Sequence, residues 1–245
     1  MNPEFQQTLV LIKPDALKQS LTGYILSTLS EFHTGLRFAA IKVVNVSTVL
    51  AEEHYAEHRG KQFFPGLIDF ITGCYHYPND PDKRRVLAFV YHGVDAIRKI
   101  RDIAGPTNPN EAREKRPGCI RALGAIVPFK DREGKLIGER FDNLIHASDS
   151  PPSAEREVKL WFRPGEIPPV MRAFPTAVCE EVYYYRDGEL HSEYVGGSTC
   201  LLSPGDTAWK SDLEILRNLR RKLPAQDTIE AVAAKYLINL TPETH

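Results

Sequence analysis

Asn143-Leu144-Ile145-His146-Ala147-Ser148-Asp149-Ser150 is followed by Pro151-Pro152 and by the helical run Ser153-Ala154-Glu155-Arg156-Glu157-Val158-Lys159-Leu160. A short apolar run ends in a histidine, where a strand would finish, and small and acidic residues lead into a helix start. An imidazole set between a strand end and a helix start can face a cleft with its backbone held on both sides. Near pH 7 one ring nitrogen is neutral and carries a lone pair, so the ring is a competent nucleophile toward phosphorus. A lone histidine in such a place is more often structural than catalytic. Its weight here comes from residues elsewhere in the chain.

Upstream, residues 7–12 form an apolar, β-rich run and predict a buried strand. It stops at Lys13-Pro14-Asp15, because Pro14 cannot donate to a ladder, and Lys13 projects from its tip. Residues 22–33 predict one amphipathic helix, with Ile25, Leu26, Leu29 and Phe32 at helical spacing and Gly35 as its stop. Residues 36–46 read as a strand, Ser47 as the cap of a helix reaching residue 58, and 61–72 as a shorter helix. A Pro/Asn/Asp loop over 74–85, a strand over 86–91 and a helix over 95–104 follow. A turn cluster at 105–109 opens an irregular stretch to residue 121. Residues 125–129 and 135–138 predict a hairpin around Asp131-Arg132-Glu133-Gly134. This order predicts an α+β domain: a ferredoxin-like split βαβ, four-stranded antiparallel sheet covered by helices on one face.

From Arg163 the texture changes. Pro164, Gly165, Pro168 and Pro169 divide the chain into residues 1–163 and a C-terminal extension over 164–245 whose role the sequence does not reveal. In the extension, residues 182–185 and 191–195 flank Arg186-Asp187-Gly188-Glu189, a hairpin signal. Two helices close the chain, over 211–223 and 227–240, the second with Glu230 placed as in a capping box.

The 245 residues carry 31 Lys and Arg against 32 Asp and Glu, a net charge of -1 that argues against a duplex-coating nucleic-acid binder. The run Arg217, Arg220, Arg221, Lys222 reads as a solvated helix face, so nucleic acid is not an expected partner. Cys74, Cys119, Cys179 and Cys200 are widely spread and have no zinc spacing, as free thiols of a reducing compartment would. His54, Tyr55 and His58 lack a third ligand at matching spacing, so no metal is expected on them. The N-terminal residues carry no signal-peptide pattern, and no apolar run approaches the ~20 residues of a membrane span. A cytoplasmic protein with no membrane partner is the expectation.

Residues 8–15 and 143–150, with 153–157 after them, closely resemble the nucleoside diphosphate kinase family. His54-Tyr55, Phe63-Phe64-Pro65-Gly66-Leu67, Gly105 with Thr107-Asn108-Pro109, and Pro117-Gly118-Cys119-Ile120-Arg121 follow in family order, so the likeness spans residues 5–163. The resemblance implies ping-pong transfer of a terminal phosphoryl group from nucleoside triphosphates to nucleoside diphosphates through phospho-His146. Glu157 would fix the ring's tautomer, supported by Ser148. Lys13, Tyr55, Arg101, Thr107, Arg121 and Asn143 would hold phosphate and sugar oxygens, and Phe63 would stack on the base. Asp149 lies where the family holds Mg²⁺, mostly through water and the nucleotide's own phosphates.

Several features depart from the family pattern. The 74–85 and 107–121 segments are longer. The 124–141 hairpin is an insertion that leaves Arg140-Phe141-Asp142 before Asn143, where the family has a small apolar residue beside the base. The extension is additional. A homo-oligomer is expected, with these additions replacing hexamer or tetramer contacts and leaving a dimer. The alternative is a catalytically weak nucleotide-sensing or scaffolding member of the same fold.

Overall fold

The computed structural model describes residues 5–130 and 135–236. The expected turn at Asp131-Arg132-Glu133-Gly134 and the end of the last expected helix lie outside them. The central strand is β1 (Phe5–Ile12), buried from Gln7 onward. Leu9 and Leu11 enter one core and Val10 and Ile12 another, so successive side chains feed opposite faces of the sheet. That is why the run shows no polar alternation. It also corrects the expectation of helices on one face only: both faces are covered.

Pro14 is the first residue of α1 (Pro14–Lys18), where its missing N–H costs nothing. The single helix expected over 22–33 is two, α2 (Thr22–Thr28) and α3 (Glu31–Thr34). Ser30 breaks it by accepting from the His33 N–H, and Gly35 ends α3 at φ +64°. Phe32, expected on the apolar face, is exposed. Strand β2 (Arg37–Val44) leads to α4 (Thr48–His54), capped by the Ser47 hydroxyl accepting from Leu50 N at 3.2 Å. Then come α5 (Phe64–Ile71), β3 (Val86–Val94) and α6 (Ala96–Ala104). The stretch expected to be irregular holds α7 (Pro109–Lys115). Asn108 caps it by accepting from Asn110 N at 2.8 Å, and Pro109 sits at its first position.

Strands β4 (Ala125–Lys130) and β5 (Leu136–Asp142) form the expected hairpin as a separate two-stranded ribbon. Strand β6 (Ile145–Ala147) then joins the main sheet, and α8 (Pro151–Trp161) follows, capped by Ser150. The sheet order is β2-β3-β1-β6, all antiparallel, and its register sets His146 opposite Leu11. Helices α1, α2 and α6 share a core with one face, and α4 and α8 with the other.

The extension contains β7 (Thr176–Val178), β8 (Tyr183–Arg186), β9 (Glu189–His191), β10 (Thr199–Leu202), β11 (Thr207–Trp209), α9 (Lys210–Arg220) and α10 (Ile229–Ala234). The β8–β9 hairpin is tighter than expected. Its loop is Asp187-Gly188, both at positive φ, so β9 begins at Glu189 rather than at residue 191. Thr228 caps α10 by accepting from Ala231 N, which leaves Glu230 one position short of a capping box. The extension has its own core around Tyr183, Leu202 and Leu216. It also enters the first core: Ile167, Trp209 and Ala234 pack with Leu9 and Trp161, and Trp209 Nε1 donates to the Phe162 carbonyl at 2.8 Å.

Candidate active site

The backbone before the histidine is constrained. Leu144 sits at φ +70°, and Ile145 N donates to the Asn143 carbonyl at 2.8 Å, closing a three-residue turn. Such a conformation costs a branched side chain on the order of 1–3 kcal/mol and persists only where its surroundings impose it. Here Leu144 N donates to Asp15 Oδ2 at 2.8 Å, and Lys13 N donates to the Leu144 carbonyl at 2.9 Å. Asp15 is fully buried. In the sequence it reads only as part of a strand stop; its positioning role needs the fold.

His146 Nε2 lies 2.7 Å from Glu157 Oε2, and the Ser148 hydroxyl donates to the same oxygen at 2.7 Å. Ser148 in turn accepts from Leu9 N at 3.1 Å, which ties the group to β1. Burial alone would raise the Glu157 carboxyl. The charge and hydrogen bond of His146, together with His54 and Ser148, outweigh it and pull the group down to about 2. A carboxylate at Glu157 places the ring proton on Nε2 and leaves the lone pair on Nδ1.

His54 stands behind this pair, its ring centre 4.5 Å from that of His146 at 78°. Burial, then the neighbouring His146, lowers it to about 3, so it is neutral. Its Nδ1 accepts from Trp161 Nε1 at 3.2 Å, and its Nε2 has no partner among the described residues. The sequence groups His54 with Tyr55 and His58; the fold groups it with His146 and Glu157. One ligand atom from each of these three lies within 4.8 Å of the others, the metal-capable cluster among the described residues. His146 and Glu157 are already joined by a hydrogen bond, and His54 backs the ring by edge-on packing rather than by a hydrogen bond to either.

His146 opens on a cleft of about 560 Å³. Lys13, Tyr55, Phe63, Arg101, Thr107, Arg121, Asn143, Asp149 and Glu157 all line it, while Ser148 is fully buried behind the wall. Arg121 donates to the Gly105 carbonyl at 2.8 Å and to the Ile145 carbonyl at 3.2 Å. Burial, then Arg101, lowers it to about 10, which leaves it charged at neutral pH. Arg101 reaches the Ala147 carbonyl at 3.5 Å. Burial lowers Lys13 to about 8, with Asp15 opposing and Arg121 adding to the fall. Its ammonium donates to Asn143 Oδ1, and Asn143 Nδ2 donates to the Thr107 carbonyl at 2.7 Å. Burial pushes the Tyr55 phenol well above its usual range, helped by Glu157, so it stays a neutral donor. Three cations, Lys13 just past the end of β1, Arg101 on α6 and Arg121 in the 120–123 turn, thus line the same cleft as the imidazole, an arrangement suited to a polyanion.

Asp149 is exposed on the cleft, and the Ser153 hydroxyl lowers its carboxyl pKa against the opposing effect of burial, with Ser150 and Arg101 assisting. One exposed carboxylate fits an ion that keeps most of its water, as Mg²⁺ does.

The sequence model described as nucleoside diphosphate kinase matches residues 6–167. The nucleoside diphosphate kinase of Thermococcus kodakarensis is 35% identical over 198 residues, covering 81% of this chain and 97% of that one. That of Mycolicibacterium smegmatis is 43% identical over 161 residues, covering 67% and 96%. Among solved structures, the nucleoside diphosphate kinase of Aquifex aeolicus superposes with a TM-score of 0.53 at 34% identity, covering 67% of this chain and all of that one. The Borrelia burgdorferi enzyme, a transition-state mimic with bound vanadate and ADP, gives 0.53 at 30% identity, covering 69% and 94%.

Proposed function

The chain belongs to the nucleoside diphosphate kinase family, phosphotransferases, and from that premise we propose how its own residues divide the work. His146 Nδ1 attacks the terminal phosphorus of a nucleoside triphosphate. The N–P bond forms, the bond to the bridging oxygen breaks, and the nucleoside diphosphate leaves with the electron pair. A second nucleoside diphosphate then takes the phosphoryl group by the reverse displacement. The observation that carries this reading is the Nε2–Glu157 bond, which frees Nδ1 beside three cations.

Glu157 and Ser148 hold the tautomer and balance the charge that develops on the phosphorylated ring. Lys13, Arg101 and Arg121 offset charge on the equatorial and leaving oxygens, which is most of what phosphoryl transfer requires. Tyr55, Thr107 and Asn143 give directional hydrogen bonds to phosphate and sugar, and Phe63 gives a stacking face. Asp149 would hold Mg²⁺ indirectly, an ion that supplies further charge neutralisation when it arrives with the nucleotide. We further propose a homo-oligomer, reduced to a dimer by the insertion and extension. A cytoplasmic location rests on the four free cysteines; no described helix is long and apolar enough to cross a membrane.

The test is steady-state conversion of ATP and GDP to ADP and GTP. Parallel double-reciprocal lines in the parent, and loss of turnover in His146→Ala, are expected. Undiminished turnover in the variant would refute the assignment, and an inactive parent would favour the nucleotide-sensing alternative.

A further inference from the structure

Phe63, which caps α5, and Gly66, Leu67 and Phe70 within it recur at i, i+3, i+4 and i+7, and all four line the cleft. A stripe that would ordinarily face a core here forms one wall of the cleft. Phe63 and Phe70 stand two turns, about 10 Å, apart along the helix, and Phe63 is 48% exposed. The β4–β5 hairpin covers the stripe. Phe129 approaches Gly66 so closely that a Cβ there would meet its ring at 2.9 Å, and it meets Tyr75 edge-on at 5.8 Å.

Arg140 lies on the same face of the hairpin as Phe129, two residues from Phe129's partner Gly138. Its guanidinium sits 4.9 Å from the Tyr75 ring centre and 5.9 Å from that of Phe70. Asp142 fixes it, accepting from Nε at 2.7 Å and Nη2 at 3.2 Å, and His76 Nε2 braces the same carboxylate at 3.1 Å. Arg140 lines the cleft, and its Nη1 has no partner among the described residues.

We propose that this hairpin completes a base slot and that Arg140 makes the slot favour guanine nucleotides, an inference that rests on the phosphotransfer reading above. Aromatic rings and a planar guanidinium make a slot for a flat ring, and a purine gains more stacking area than a pyrimidine. Nη1 can only donate. Guanine O6 is an acceptor for it. Adenine sets an amino group at the corresponding atom, donor against donor, and leaves both unpaired.

Phosphorylate the protein with ATP, remove nucleotide, and follow single-turnover transfer to GDP and to ADP. The parent is expected to transfer faster to GDP at subsaturating acceptor. Arg140→Ala lowers the GDP/ADP ratio about tenfold, the scale of one charge-assisted hydrogen bond. Arg140→Lys, which keeps the charge and loses the bidentate hold of Asp142, lowers it by less. Phe129→Ala slows both acceptors and keeps the ratio. A parent ratio at or below one overturns the proposal, even if every variant fails to fold. So does an unchanged ratio in a phosphorylated Arg140→Ala, or a Phe129→Ala that shifts the ratio as much. A parent that takes no phosphoryl group overturns the underlying reading instead, so the two failures are distinguishable.

Discussion

Lys13 carries the clearest pH signature at the scale of single residues. Burial lowers it from 10.5 to about 8. Below about 8 the ammonium is present to meet a phosphate. Between about 8 and 10.5 the folded protein has lost a proton that the unfolded chain keeps, so this group's contribution to stability rises with pH across that window. Phosphate binding moves the other way. The expected result is a kcat/KM for nucleotide that falls above about pH 8 and a Lys13→Arg variant without that break, checked by a pH–rate profile. A parent profile flat to pH 10 would contradict it. Glu157 has the same sign in the acid range: depressed from 4.5 to about 2, its contribution to stability rises with pH between those values, is fully present above 4.5 and is lost as pH falls toward 2. Glu157→Gln should flatten that part of an acid-denaturation curve and lower kcat by about 10²-fold or more, since the ring loses its fixed countercharge. The candidate residues themselves were legible as types in a pattern. His54 and Asp15 were not legible in their present roles. One looked like a poor metal ligand and the other like a strand stop, because what each does depends on a contact made across more than ninety positions, to His146 and to Leu144.

At the scale of elements, the sequence was readable wherever one face is apolar and the other polar, or both are buried. Strands β1 and β3 and helices α4, α6 and α8 fell within a few residues of expectation. Helix α7 was hidden because it is short and polar, so periodicity carries no signal. The cue was the Asn108-Pro109 pair, which marks a turn and a helix start equally well. Asn108→Ala should remove the cap and destabilise the protein by about 1 kcal/mol. Because α7 precedes the turn bearing Arg121, KM should rise as well; chemical denaturation and kinetics check both. Helix α2 was overextended because Leu29 and Phe32 keep the helical spacing, while Ser30 prefers to cap.

Over the whole molecule, the expected boundary at residue 163 marks a change in composition rather than a break in packing. Trp209 is 1% exposed and belongs to the same core as Leu9 and Trp161. Trp209→Ala should cost ~3–5 kcal/mol, the usual range for a buried aromatic, in a single denaturation transition shared by both parts. Removing residues 164–245 should leave Trp161 and Phe162 uncovered and the remainder insoluble. A soluble, active 1–163 fragment would instead show a separable domain. On the far edge of the sheet, β2 leaves Ile41 57% and Val43 56% exposed, an apolar edge of the kind that pairs with another chain. Light scattering should therefore give a mass above that of one chain, and a monomer would refute the proposed oligomer.

The central claim is that one imidazole nitrogen carries the phosphoryl group between nucleotides. The most direct measurement is peptide-level mass spectrometry of protein treated with ATP, digested under alkaline conditions that preserve phosphohistidine, with and without a GDP chase. One phosphoryl group on His146 is expected, disappearing on the chase with formation of GTP. A phosphoryl group on another residue, or one on His146 that GDP does not remove, would contradict it.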